Sequence, residues 1–94
     1  MLDEAQRRTV RIIVANANVD ARVFVFGSRA TGAARPFSDL DLLIEAGAAL
    51  TWQQRAALRD AFEASDLPFR VDVVTVDELA DGFRARVMQE RVPL

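Results

Sequence analysis

The sequence predicts a mixed helix-and-strand fold in the alternating order α-β-α-β-α-β-α, and two observations predict it. Three short runs rich in Val, Ile, Leu and Phe, at 22–26, 39–45 and 69–76, read as strands. The segments around them, 3–17, 51–64 and 77–90, set apolar side chains near a 3.6-residue period and read as helices. Ninety-four residues make one domain, 1–94, with a modest core.

The first helix carries Leu2, Ala5, Val10, Ile12, Ile13 and Ala17 near one face, with Arg7, Arg8 and Arg11 opposite. Asp3 and Glu4 suit the positive end of its dipole, and 16–20 is a turn-rich break. Arg22–Phe26 is almost wholly apolar, as a strand covered on both faces is. Ser28 is placed to cap a short helix through Arg29–Ala34, which Gly32 weakens, and Pro36 ends it. In the second strand Leu40, Leu42 and Ile44 share one face; Asp39, Asp41, Leu43 and Glu45 share the other, with Glu45 read as a solvated strand end. Thr51 caps a helix whose apolar side is Ala57, Leu58, Ala61 and Phe62; Trp52 is expected to pack on the body of the domain. Asp77 and Glu78 open a last helix carrying Leu79, Ala80, Phe83 and Val87, and Pro93 stops it.

Composition removes several chemistries. The chain has no His and no Cys, so it lacks an imidazole base, a thiol nucleophile, a disulfide and an ordinary zinc site. Every basic residue is Arg, which excludes a Walker-type phosphate lysine or a Schiff-base lysine. What remains is carboxylate chemistry. A net charge of −2 argues against bulk attraction to nucleic acid. The acidic start, Met-Leu-Asp-Glu, lacks the features of a signal peptide, and no apolar run approaches membrane-spanning length; a cytoplasmic protein is expected.

The stretch Val23–Ile44 concentrates the remaining chemistry. Gly27 and Ser28 fall where the first strand stops, and Asp39 and Asp41 where the second begins. Residues i and i+2 of a strand point to one face, roughly 6–7 Å apart, so both carboxylates can converge. Gly27-Ser28 reads either as an ordinary strand-end turn or as a turn whose N–H groups and hydroxyl donate to phosphate. The two aspartates read either as surface charge or as ligands of a divalent cation, since Mg²⁺ is usually held by one or two carboxylates together with substrate phosphates. Asp72 sits inside Val-Asp-Val-Val, where burial is costly without a partner or metal. It is either an exposed edge residue or, if the third strand lies beside the second, the third carboxylate of a cluster. Arg29 follows Ser28 and could reach a phosphate; Arg35 reads as solvated charge, and Thr31 and Ser38 as weaker candidates.

Gly27-Ser28, ten residues, Asp39-x-Asp41 and a later strand aspartate, Asp72, resemble the signature of the DNA polymerase β-type nucleotidyltransferase superfamily over nearly the whole chain. The small size is similar to that of the minimal nucleotidyltransferases, and among them to the MntA-type antitoxins encoded beside HEPN-domain, HepT-like toxins. The resemblance implies an α+β nucleotidyltransferase fold, a small mixed sheet flanked by helices. It implies that Gly27 and Ser28, with Arg29 beside them, hold the phosphates of ATP, that Asp39 and Asp41 bind Mg²⁺, and that Asp72 binds a second ion or helps deprotonate the acceptor. It further implies AMP transfer to a tyrosine hydroxyl of a cognate HEPN toxin, in a hetero-oligomer with that toxin and without direct nucleic-acid binding. Two other functions fit the same residues: an antitoxin acting by complex formation alone, and an aminoglycoside-type small-molecule nucleotidyltransferase, against which the missing second domain counts.

Overall fold

The computed structural model describes residues 2–94. Helix α1 (Glu4–Asn16) starts from an Asp3–Gln6 capping box, in which each residue's side chain accepts the other's backbone N–H. It ends where Asn18 takes a left-handed conformation, φ 57°. Strand β1 (Ala21–Phe26), the short helix α2 (Ser28–Thr31), strand β2 (Leu40–Ala46), helix α3 (Trp52–Ala64) and strand β3 (Val71–Thr75) follow. A 3₁₀ turn (Val76–Glu78), helix α4 (Asp81–Glu90) and a two-residue strand β4 (Val92–Pro93) complete the chain.

The sheet is mixed, with spatial order β3-β2-β1-β4. β1 runs antiparallel to β2 and β4, while β2 and β3 are parallel. Helices α1 and α3 cover one face, burying Val10, Ile13, Leu58 and Phe62 against Val25, Leu40, Leu42 and Ile44. The other face is smaller: Leu79, Val87 and Met88 pack on Phe24, Phe26, Leu43 and Val74. β2 is thus covered on both sides, and Leu40, Leu42 and Leu43 are fully buried. No helix among the described residues is long and apolar enough to cross a membrane.

The mixed sheet with flanking helices is the architecture expected, with local corrections. The last helix begins at Asp81, not Asp77. Glu78 is committed to Thr75, accepting from its N–H at 3.1 Å and its hydroxyl at 2.7 Å. Leu79 then drops in extended conformation into the core, interrupting the helix. The third strand begins at Val71, and β4 is additional; Pro93 is tolerated because β4 is an edge strand. Trp52 is 75% exposed rather than packed. Leu58 and Phe62 set the inner stripe of α3, and Trp52, six residues before Leu58, falls about 120° around the helix from Leu58. Ile12 and Phe83 likewise face solvent, at 52% and 50%. Glu45 is half-buried, with Arg91 Nε 4.0 Å away, so it is not a solvated strand end.

Candidate active site

The candidate site lies at one end of the sheet, where β1 stops and β2 and β3 start. Register alone brings its parts together. Asp41 is paired with Phe26 across the antiparallel ladder and with Asp72 across the parallel one. Paired residues share a face, so Asp41 and Asp72 project together on the α4 side of the sheet, which that helix covers only in part. Asp39 stands one residue ahead of β2, exposed.

Asp41 is half-buried, and its carboxyl is held above the ordinary carboxylate range, first by burial and then by the charges of Asp72 and Asp39. Asp41 therefore feels both of the other acids. Among the described residues the three do not close tightly enough to grip an ion unaided. Their hard oxygens still suit Mg²⁺ that arrives with a nucleotide, because such an ion takes part of its shell from phosphate. Arg70 Nη2 lies 3.8 Å from Asp72 Oδ1, an exposed pairing too loose to satisfy that carboxylate.

Gly27 joins β1 to α2 with φ 72° and ψ −150°, a conformation that only glycine adopts without strain. A Cβ there would collide with Asp41 Oδ2. The absence of a side chain at position 27 is thus what allows the turn to lie against the carboxylate. Gly27, not Ser28, is the N-cap of α2; Ser28 is the first helical residue, makes no side-chain cap bond, and is half-buried. Thr31 turns its hydroxyl back toward the Gly27 and Ser28 carbonyls, and the Ser38 hydroxyl accepts from the Arg35 N–H at 2.8 Å. Both brace the loop.

Arg29, read from the sequence as able to reach a phosphate, is a buried cation. It is 5% exposed. Its Nε and Nη2 donate to the Ser38 carbonyl at 3.1 and 2.8 Å, Nη2 also donates to the Pro36 carbonyl at 3.2 Å, and the guanidinium sits 4.1 Å from the centre of the Phe69 ring. Its Nε and Nη2 are committed to the carbonyls of Pro36 and Ser38, so it braces the loop. Phe69 was not singled out by the sequence, where it is one aromatic among several. Phe83 also borders the site: its ring meets that of Phe26, the partner of Asp41, edge-on at 6.4 Å.

Comparison with known proteins fits this geometry. Residues 7–94 match the family model of the nucleotidyltransferase domain. A curated relative from Haemophilus influenzae, named probable protein adenylyltransferase MntA, is 40% identical over 75 residues, which is 80% of this chain and 66% of the relative. The chain thus matches about two thirds of that relative's length. A solved structure of a minimal nucleotidyltransferase superposes with a TM-score of 0.75 at 42% identity, covering 96% of this chain and 90% of the other. A toxin–antitoxin structure with AMP-PNP superposes with a TM-score of 0.73 at 21% identity, covering 92% and 69%, and shares the fold.

Proposed function

The chain belongs to the nucleotidyltransferase domain family, and on that premise we propose that it is a protein adenylyltransferase antitoxin, moving AMP from ATP to a tyrosine hydroxyl of a cognate HEPN-domain toxin. The observation that carries this reading is the convergence of Gly27, Asp41 and Asp72 at one end of the sheet, with Asp39 alongside. The 40% identity to a protein named as an adenylyltransferase supports the choice of a protein acceptor.

In this reading the Gly27-Ser28 turn offers N–H groups and the Ser28 hydroxyl to the triphosphate. Asp39 and Asp41 would hold Mg²⁺, and Asp72 would hold a second ion or accept the proton of the attacking hydroxyl. Ions held there would neutralise charge developing on the phosphates. The tyrosine oxygen forms a bond to the α-phosphorus, the bond from that phosphorus to the bridging oxygen breaks, and pyrophosphate leaves. The proton passes to a carboxylate or to water. AMP on the toxin adds bulk and negative charge, which disables a ribonuclease site. The reaction takes place in the cytoplasm, within a complex of the two proteins and without direct contact to nucleic acid.

The test is intact mass of the HEPN-domain protein encoded beside this chain, after incubation with the chain, ATP and Mg²⁺. A gain of one or more AMP groups, lost in the Asp39→Asn/Asp41→Asn double variant, is the expected result; no gain refutes the transferase. A second reading, neutralisation by binding alone, draws on Ile12 and Phe83, which the terminal helices leave exposed. It predicts a stable complex and full neutralisation by the double variant.

A further inference from the structure

We propose that Arg29 is the positioning residue of this site: its buried guanidinium sets the spacing between the Gly27-Ser28 turn and the aspartate-bearing strands. The catalytic part of this inference rests on the nucleotidyltransferase reading; the structural part does not.

The observations are independent of one another. Arg29 is a cation at 5% exposure, and among the described residues no carboxylate lies within ion-pair distance of it. A buried charge is retained only where something compensates it. Here the compensation comes from two segments, and the charge is carried on a third. The charge is carried on α2, directly after the turn. Its hydrogen bonds go to the carbonyls of Pro36 and Ser38, the latter belonging to the peptide that leads into Asp39. Its face lies on Phe69, in the segment leading into β3 and Asp72. The neighbouring Arg70 carbonyl accepts from the Leu40 N–H at 2.8 Å, tying the starts of β2 and β3 together. One side chain therefore touches every segment that delivers a site residue. The planar fork is what makes this possible, because two donors reach one carbonyl while the guanidinium carbon lies over the ring. A lysine ammonium keeps the charge but neither forks nor stacks.

The test uses Arg29→Lys, with Phe69→Leu as the variant that keeps the fork and removes only the ring. Hydrogen exchange is read at amides 37–40, and kcat and KM for ATP are measured well below the melting temperature. In Arg29→Lys, exchange at 37–40 should accelerate by about tenfold or more while α1 and α3 keep their protection. kcat should fall about 100-fold, the scale of a misplaced reacting group, with KM for ATP nearly unchanged. Phe69→Leu should move both readouts the same way by less. Unchanged exchange at 37–40 overturns the proposal. So does a rise in KM at constant kcat, which would make Arg29 a nucleotide ligand. If Arg29→Lys does not fold, Phe69→Leu decides by the same criteria. If the parent transfers no AMP, the functional reading fails, and loop exchange alone still upholds or overturns the positioning role.

Discussion

Replacing Gly27 by alanine should damage this protein more than the same change at Gly32, and the Asp41 carboxylate is the reason. Both glycines have positive φ, 72° and 82°. Gly32 lies in the ordinary left-handed region with ψ 6°, and nothing stands within 4 Å of a Cβ built there. Gly32→Ala should therefore cost about 1 kcal/mol, the usual left-handed penalty. Gly27 has ψ −150° and is in a region close to glycine-only, worth ~1–3 kcal/mol of strain to any other residue. Its added methyl would also meet Asp41 Oδ2, with Asp41 Cγ at 3.4 Å and Cβ at 3.6 Å. Asp41 must swing away or β1 and β2 must part, so the total should reach roughly 2–4 kcal/mol. For a chain of this size that is a large part of a folding free energy of about 5–14 kcal/mol. Urea unfolding at pH 7 measures the stability difference. AMP transfer, measured where both variants are folded, should fall about 100-fold in Gly27→Ala and stay near the parent rate in Gly32→Ala. Equal losses of stability and of rate in the two variants would refute the claim that Gly27 is required by Asp41.

Asp41→Asn should stabilise the nucleotide-free protein at pH 7 while lowering transfer by about 10²–10³-fold, the scale for loss of one preorganised charged group. Because burial and then Asp72 and Asp39 raise the Asp41 pKa, the folded state keeps a proton the unfolded state has released. Stability falls as pH rises from the ordinary value of 3.8 through the raised one, and the penalty persists above it; urea titrations at pH 7 read its removal. Stabilisation by Mg²⁺ and ATP should disappear in the same variant, which thermal shift detects. Glu78 behaves oppositely. Burial pushes its pKa up, but hydrogen bonds from Thr75 and Arg55 outweigh that and hold it below 4.5. Its contribution is present at neutral pH and is lost as pH falls from 4.5 through the lowered value, so Glu78→Gln should flatten this part of the acid limb in melting curves from pH 3 to 6. At neutral pH the same variant should cost about 0.5–1 kcal/mol, because the Arg55–Glu78 pair is 40% and 38% exposed. Trp52→Gln should change stability by less than about 0.5 kcal/mol in urea unfolding, since that side chain is 75% exposed.

What was legible in the sequence is what short-range physics governs. Periodicities of 3.6 and 2 mark the three long helices and three main strands, and the Thr51 cap closes on Gln54 as such caps do. Period 2 also spaces Asp41 two residues from Asp39, which stands just ahead of β2, and the sequence marks Gly27 at the end of β1. Tertiary structure decided the rest, because each remaining feature depends on a partner distant in the chain. Asp72 stands beside Asp41 only through the parallel register of β2 and β3, which no local pattern specifies. Val92–Pro93 becomes a strand because β1 offers it an open edge. Leu79 breaks the last helix because a core pocket takes its side chain. Gly27 must be glycine for the sake of a carboxylate fourteen positions later, as well as for its own turn. Arg29, written like a surface cation, is buried because Pro36, Ser38 and Phe69 together supply the acceptors and the ring that compensate its charge. Local propensity acts over a few residues; the site is made by groups that only register and packing bring within a few ångströms.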